Sequence, residues 1–289
     1  MRGKSRCRSL LAEIQPCSVR ALAYQLFNRR LIPSMAKTEV QRVSRILVGA
    51  REDGEIDWSW IVDETQSVEQ KSTWDDPAAF ARTVTHAYAK DKWTAQPNRV
   101  EVWSEKGTVR GTLKPILDQY EVAFRVMHGW AHATTIHDVS DLIDDDDRSL
   151  TIIYVGDWDP SGLYMSAMDI PQRLERYSNT GNDFDILRLA LTEDDLESLR
   201  EFNFDAATKS KDSRYRWFVA NHGNRCCEVD ALNPNVLRDR VEAAIVNLID
   251  QEMWDRYVRA EEVEQASIRR TVKRWSRLRA PIVDDDDEE

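Results

Sequence analysis

A chain of 289 residues, 42% hydrophobic and 31% charged, is long enough for a sizeable core and has the composition of a water-soluble fold. No apolar run approaches the roughly 18 residues of a membrane span, and the basic start MRGKSRCRSLLAEIQ lacks the apolar core of a secretory signal. Cys7, Cys17, Cys226 and Cys227 form no CxxC pair and read as thiols of a reducing cytoplasm rather than a disulfide framework.

The formal net charge of -11 argues against nucleic acid until its distribution is considered. Residues 1–51 hold eleven Lys/Arg against Glu13 and Glu39, a surplus of nine that leaves the remainder at -20. One reading is a basic module that meets phosphate, joined to an acidic body. The other is a solvated basic helix pair.

After a basic segment at 1–15, SVRALAYQLFN (18–28) has helical spacing, with Val19, Leu22 and Leu26 on one face. KTEVQRVSRILVGAREDG gives a second helix with Val40, Val43, Ile46 and Leu47 inward, capped by Ser34 or Thr38 and ended by Gly54. EIDWSWIVDE alternates in part, as a short strand or wing does. Helix, helix and hairpin over 16–72 outline a winged-helix module, a pattern shared by many helix pairs. Residues 75–92 read as one helix within a linker at 73–97.

From residue 98 the rhythm changes. RVEVWSE, EVAFRVM, SLTIIYV, FDILRLA and CCEVDAL read as strands. KGTVRGTLKPILDQY, HATTIHDVSDLI and SGLYMSAMDIPQRLERY read as helices, the last kinked by Pro171, with more helix near 193–200 and 234–250. This alternation predicts an α/β fold with a mostly parallel, doubly wound sheet over 98–250. Residues 251–289 read as a charged helix over 251–279 followed by the acidic tail DDDDEE, and no GxxxxGK[ST] phosphate loop occurs.

Two predicted strands end in acid, one at Glu105 and the other at Asp157 and Asp159. On extended chain, positions i and i+2 point the same way, so both aspartates face one ion. Three converging carboxylates repel one another or take up protons unless a cation lies between them. Mg²⁺ suits hard oxygen ligands and keeps waters that a phosphate displaces. The competing reading is a capping turn, because Asp-Pro-Ser-Gly also starts helices and loops.

WSEKGTVRG, followed about fifty residues later by GDWDPSG, resembles a Toprim domain, the metal-binding fold of topoisomerases, primases and some nucleases. SVRALAYQLF resembles the Arg-x-x-x-Tyr helix of the topoisomerase VI A subunit and the meiotic double-strand-break transesterase. MHGWAHATT sits where that group has a Thr-containing loop, and CCEVDALNPNVLRDRVEAAI resembles its late acidic strand and helix. The resemblance covers roughly residues 17–250 and is nearest to the compact Mini-A-like members. It implies Tyr24 as nucleophile, Arg20 beside it, and Glu105, Asp157 and Asp159 as ligands of Mg²⁺, with Mn²⁺ a possible substitute. It implies DNA double-strand cleavage by a homodimer, one protomer's tyrosine working with its partner's metal. Strand passage in that group needs a separate ATPase subunit. The location that follows is cytoplasmic and nucleoid-associated. A Toprim endonuclease using metal-activated water and a catalytically silent DNA-binding component of a mobile-element or defence complex are the alternatives.

The candidate contacts to double-stranded DNA are Arg29, Arg30, Lys37, Arg42 and Arg45 in the basic module, with Lys106 and Arg173. Lys209, Lys211 and Arg214 are further channel candidates, though exposed salt-bridging charge is an equal reading. Glu228 and Asp230, on the expected late strand, either support a metal or cap the sheet. His128 and His132 lack a third zinc ligand. Asp144–Asp147 read as a solvated acidic loop.

Overall fold

In a computed structural model, described for residues 2–62, 72–127, 133–181 and 183–275, the chain divides into two compact units. The first combines Met1–Thr65 with Pro97–Ile249, and the second Gln66–Gln96 with Asp250–Glu289. The helix pair near the N-terminus thus belongs to the same unit as the sheet.

The basic lead-in forms a helix, α1 (Arg2–Ile14), which the sequence reading left unassigned. Cys7, Leu10, Leu11 and Ile14 are buried with Leu22, Leu26, Val43 and Leu47 in one apolar cluster. After β1 (Cys17–Ser18) come α2 (Val19–Asn28) and α3 (Lys37–Glu52). Ser18 caps α2 by accepting the Ala21 amide at 3.0 Å. Neither expected cap serves α3, whose N-cap is Ala36 without a side-chain bond; Ser34 instead accepts from the Ala36 amide at 3.4 Å. The expected wing differs too. Trp58–Trp60 make a 3₁₀ turn, and β2 (Ile61–Val62) pairs in parallel with β1. The rest of the predicted hairpin, 63–71, lies outside the described residues.

Next comes α4 (Pro77–Ala87), part of the second unit. The sheet region then runs β3 (Asn98–Ser104), α5 (Gly107–Tyr120), β4 (Ala123–Val126), α6 (Ala133–Asp144) and β5 (Ser149–Val155). It continues with α7 (Pro160–Tyr164), α8 (Ile170–Tyr177), β6 (Phe184–Ala190) and α9 (Glu193–Ser198). The four long strands are parallel, in the order β4-β3-β5-β6. Trp103, Ile152 and Tyr154 face one side, where α6 and α8 bury them under Ile136, Val139, Ile170 and Leu174. Alternation sends Val102 and Ile153 to the face where α5 packs on α11 (Pro234–Leu248).

The predicted kink is a π turn at Met165–Asp169, where the Ile170 amide reaches back to the Met165 carbonyl just before Pro171. The predicted strand CCEVDAL is corrected. β7 (Phe204–Asp205) and α10 (Tyr215–His222) precede β8 (Arg225–Cys226), a two-residue strand antiparallel to β7. Cys227 makes an isolated bridge with Trp158, and Val229–Ala231 turn as a 3₁₀ helix. Glu228 and Asp230 leave the strand pattern because their side chains pair with α2, β1 and Lys106 instead.

Gly111 on α5 allows β2 to lie against the sheet region. A Cβ there would fall 2.1 Å from Val62 Cγ1, inside van der Waals contact.

In the second unit α4 packs along α12 (Gln251–Trp275). The expected single helix over 75–92 stops at Ala87, and the chain continues extended from Tyr88. Lys90 pairs with Glu264 at 2.8 Å, Lys92 with Glu261 at 2.5 Å, and the rings of Trp93 and Trp254 meet edge to face.

Candidate functional site

The strand order reverses between β3 and β5, the switch point where open α/β sheets form a crevice at the strands' carboxyl ends. Glu105 follows β3, and Asp157 and Asp159 follow β5, so the sheet gathers all three acids at that edge.

The Glu105 carboxylate receives no hydrogen bond among the described residues. Burial, with Asp159 and Asp157 nearby, pushes its pKa up to about 7. Gly162 leaves room for it: a Cβ at Gly162 would lie 3.1 Å from Glu105 Oε1 and 2.5 Å from the Asp157 carbonyl oxygen. A desolvated carboxylate without donors, beside two aspartates, is a donor set that fits Mg²⁺ in kind.

The two aspartates differ from the expected parallel pair. Asp157 Oδ1 accepts from the Val229 amide at 2.8 Å and meets Lys106 Nζ at 2.9 Å. Burial pushes its carboxyl up against the pull of Lys106. Asp159, 3% exposed, caps α7 through the Gly162 amide at 2.7 Å and pairs with Lys209. The turn reading and the acid-cluster reading therefore hold together, since Asp159 does both. With a lysine on each aspartate, no three acidic, histidine or cysteine side chains among the described residues are set to hold one ion as they stand.

A cleft of about 530 Å³ lies beside the acids, lined by Arg20, Lys106, Thr108, Asp157, Glu228 and Asp230 among others. Lys106 bridges Asp157 and Asp230, which also accepts from Ser18 at 2.7 Å. Desolvation opposes the Lys106 charge, but Asp157 and Asp230 outweigh it and raise its pKa. Arg20 pairs with Glu228, its Nη2 2.7 Å from Oε1.

Tyr24 lies on the buried face of α2, 5% exposed, its ring edge-on to Phe202 at 5.2 Å between centroids. Burial first, then Glu228, pushes its hydroxyl up to about 12 against Arg20, whose guanidinium sits 5.8 Å from the ring centroid. The Arg-x-x-x-Tyr spacing brings the two residues together, with the tyrosine inward and its proton firmly held.

Of the proposed DNA contacts, Arg30, Lys37 and Arg45 are exposed. Arg29 pairs with Glu13 at 2.6 Å, Arg42 with Glu39 at 2.7 Å and Arg173 with Asp169 at 3.0 Å. His128 and His132 lie outside the described residues. The acidic loop is not merely solvated. Asp144 accepts from Ser178, Asn179 and Thr180, which hold its carboxyl far below the usual range, while Arg148 lowers Asp146 to about 2.

Sequence reasoning passed over Arg188. It sits on β6 beneath the aspartate loop, donating to the carbonyls of Gly156, Asp157, Gly162 and Leu191 and to Ser166 Oγ. Its guanidinium lies 5.4 Å from the Tyr154 ring centroid and 5.9 Å from that of Trp158. The legible signal was a lone arginine in the apolar run FDILRLA.

No protein-family model, curated protein or solved structure matches this chain. Among the described residues no helix is long and apolar enough to cross a membrane.

Proposed function

We propose that this protein cleaves double-stranded DNA with Mg²⁺, or Mn²⁺ in its place, held by Glu105, Asp157 and Asp159. The observation that carries the reading is Glu105: a desolvated carboxylate with no donor, beside two aspartates at the sheet's switch point. When bound, the metal neutralises charge that develops on the phosphoryl oxygens. Lys106, which lines the cleft, meets the phosphate, while Arg30, Lys37 and Arg45 add sequence-independent attraction to the backbone.

In the topoisomerase VI A-like form of this proposal, Tyr24 attacks the phosphodiester and becomes a phosphotyrosyl ester, displacing a deoxyribose hydroxyl. Arg20 holds the phosphate, a homodimer makes paired cuts, and strand passage requires a separate ATPase subunit. A second reading, hydrolysis by water at the same acids, is favoured by one observation: Tyr24 is buried, with its pKa pushed up to about 12.

Supercoiled plasmid, incubated with protein and Mg²⁺ and then denatured with detergent, tests both. Nicked or linear DNA that disappears in Asp157→Ala supports the metal centre, and unchanged cutting there rejects it. Protein attached to DNA ends, absent in Tyr24→Phe, supports tyrosyl transfer. Cutting that survives Tyr24→Phe assigns the attack to water. Intact DNA with binding retained points to a silent DNA-binding component.

A further inference from the structure

We propose that Arg188 is the positioning residue of the carboxylate centre, fixing through backbone carbonyls the direction in which Asp157 and Asp159 point. This rests on the metal-centre reading above.

An arginine side chain carries five N–H donors in a planar fork. In Arg188 each has an acceptor. Nε donates to Leu191 O at 2.8 Å, Nη1 to Gly162 O at 3.0 Å and Ser166 Oγ at 2.7 Å, and Nη2 to Gly156 O at 3.1 Å and Asp157 O at 2.5 Å. Two of these carbonyls belong to consecutive residues, Gly156 and Asp157. Their orientation sets the peptide planes on both sides of the Asp157 Cα, and hence where its carboxylate points. Asp159 is fixed one step removed. The Gly162 amide donates to Asp159 Oδ1 at 2.7 Å while the Gly162 carbonyl accepts from Arg188. One guanidinium therefore governs both acids without touching either carboxylate.

The surroundings require a cation of this shape. Gly156 and Asp157 lie where β5 has ended, with the Leu191 amide the ladder's last bond, to Gly156 O at 2.7 Å. Arg188 adds a further donor to Gly156 O and, one residue beyond, donates to Asp157 O. A lysine in the same place offers three donors from a single point and leaves acceptors unmet.

The bland alternative is that Arg188 merely ties a turn together, and the molecule contains its own control for that. Arg238 on α11 is a comparable clamp. It donates to the carbonyls of Ile14, Gln15, Pro16 and Thr112 and to Asn235 Oδ1, and none of these groups belongs to the loop carrying Asp157 and Asp159.

The experiment compares Arg188→Lys with Arg238→Lys in the full chain. Mn²⁺ binding is read from the electron paramagnetic resonance of the free ion, with thermal melting and amide hydrogen exchange measured without metal. Arg188→Lys is expected to weaken Mn²⁺ binding by about tenfold or more, the usual cost of removing a group that orients ligands. It is also expected to speed exchange at residues 156–163. Arg238→Lys melts lower but binds Mn²⁺ like wild type. Equal losses in both variants, or Mn²⁺ affinity in Arg188→Lys unchanged from wild type, overturn the proposal. Should Arg188→Lys not fold, Ser166→Ala, which removes one acceptor and keeps the arginine, is expected to weaken Mn²⁺ binding about threefold; no change there overturns it as well. A wild-type protein that does not bind Mn²⁺ at all rejects the metal centre itself, an outcome distinct from those that reject only the role of Arg188.

Discussion

The carboxyl edge of the sheet and the tyrosine face of α2 lie in the same unit and are built on opposite plans. At the sheet edge the donors are unevenly shared: Glu105 has none among the described residues, while Asp157 and Asp159 each take one backbone amide and one lysine that also borders solvent. On α2 the hydroxyl of Tyr24 is enclosed between Phe202, Arg20 and Glu228, 5% exposed. The first arrangement leaves one desolvated carboxylate, Glu105, without a donor among the described residues. The second is closed to a substrate until α2 or the segment around Phe202 moves. In the tyrosyl-transfer form of the proposed function, the two regions would therefore differ in readiness, so the test of the nucleophile turns on α2 rather than on the sheet.

The largest expected effect breaks the comparison at its charged side. Glu105→Gln should lower plasmid cleavage by about a hundredfold or more while circular dichroism stays unchanged, as losing a group at a charge-stabilising centre does. Cleavage that persists removes Glu105 from the site.

Glu105 should also set a pH dependence in metal-free protein. Its folded pKa of about 7 lies above the unfolded value of about 4.3, so the folded state holds the proton more tightly. That contribution to stability is fully present below about pH 4 and lost as pH rises to about 7, by no more than about 4 kcal/mol, less whatever solvent screens at a part-exposed side chain. Denaturant melts in chelator at pH 5 and pH 8 should show the fall, and Glu105→Gln should flatten it. Added Mg²⁺ should restore stability at the higher pH.

Phe202→Ala sharpens the contrast from the other side. It should cost about 1–2 kcal/mol in chemical denaturation through lost ring contact. In an ultraviolet titration it should also bring Tyr24 down from about 12 towards the ordinary value near 10. A Tyr24 titration that does not move shows that Phe202 is not what closes it.

Lys209→Met, which removes the cation on Asp159, should tighten Mg²⁺ binding by about fivefold in calorimetry, because one competitor for the carboxylate is gone. Weaker binding instead would show that the lysine supports the ion rather than displacing it. The smallest effect belongs to the basic module. Replacing any one of Arg30, Lys37 or Arg45 by Gln should weaken DNA binding a few-fold and reduce the slope of log affinity against log salt by about one.

The sheet was legible because SLTIIYV and RVEVWSE are apolar runs of strand length between helical patterns, and parallel strands buried on both faces read that way. The carboxylates were legible because each follows such a run directly. What spacing hid was the partner of each charge. Lys209 stands fifty residues from Asp159, Arg188 about thirty from Asp157, and Glu228 over two hundred from Arg20. Local pattern carries no information about such pairings. The same blindness turned Cys226–Leu232 into a strand. Its hydrophobicity fits one, but Glu228 and Asp230 are drawn off by Arg20, Ser18 and Lys106. α1 was missed because its charged face masks the buried stripe of Cys7, Leu10, Leu11 and Ile14.

Arg238 closes its fork on the carbonyls of Ile14, Gln15 and Pro16, more than 220 residues earlier in the chain. Ser18 and Arg20 likewise wait for Asp230 and Glu228. On a ribosome, the first helices emerge long before the residues that complete their packing, with Gln66–Gln96 of the second unit made in between. Their apolar faces must stay unaggregated until Arg238 has been added, so folding is expected to be slow and its intermediates exposed to chaperones and proteases. A chain truncated before residue 238 loses the bonds that fasten its own beginning.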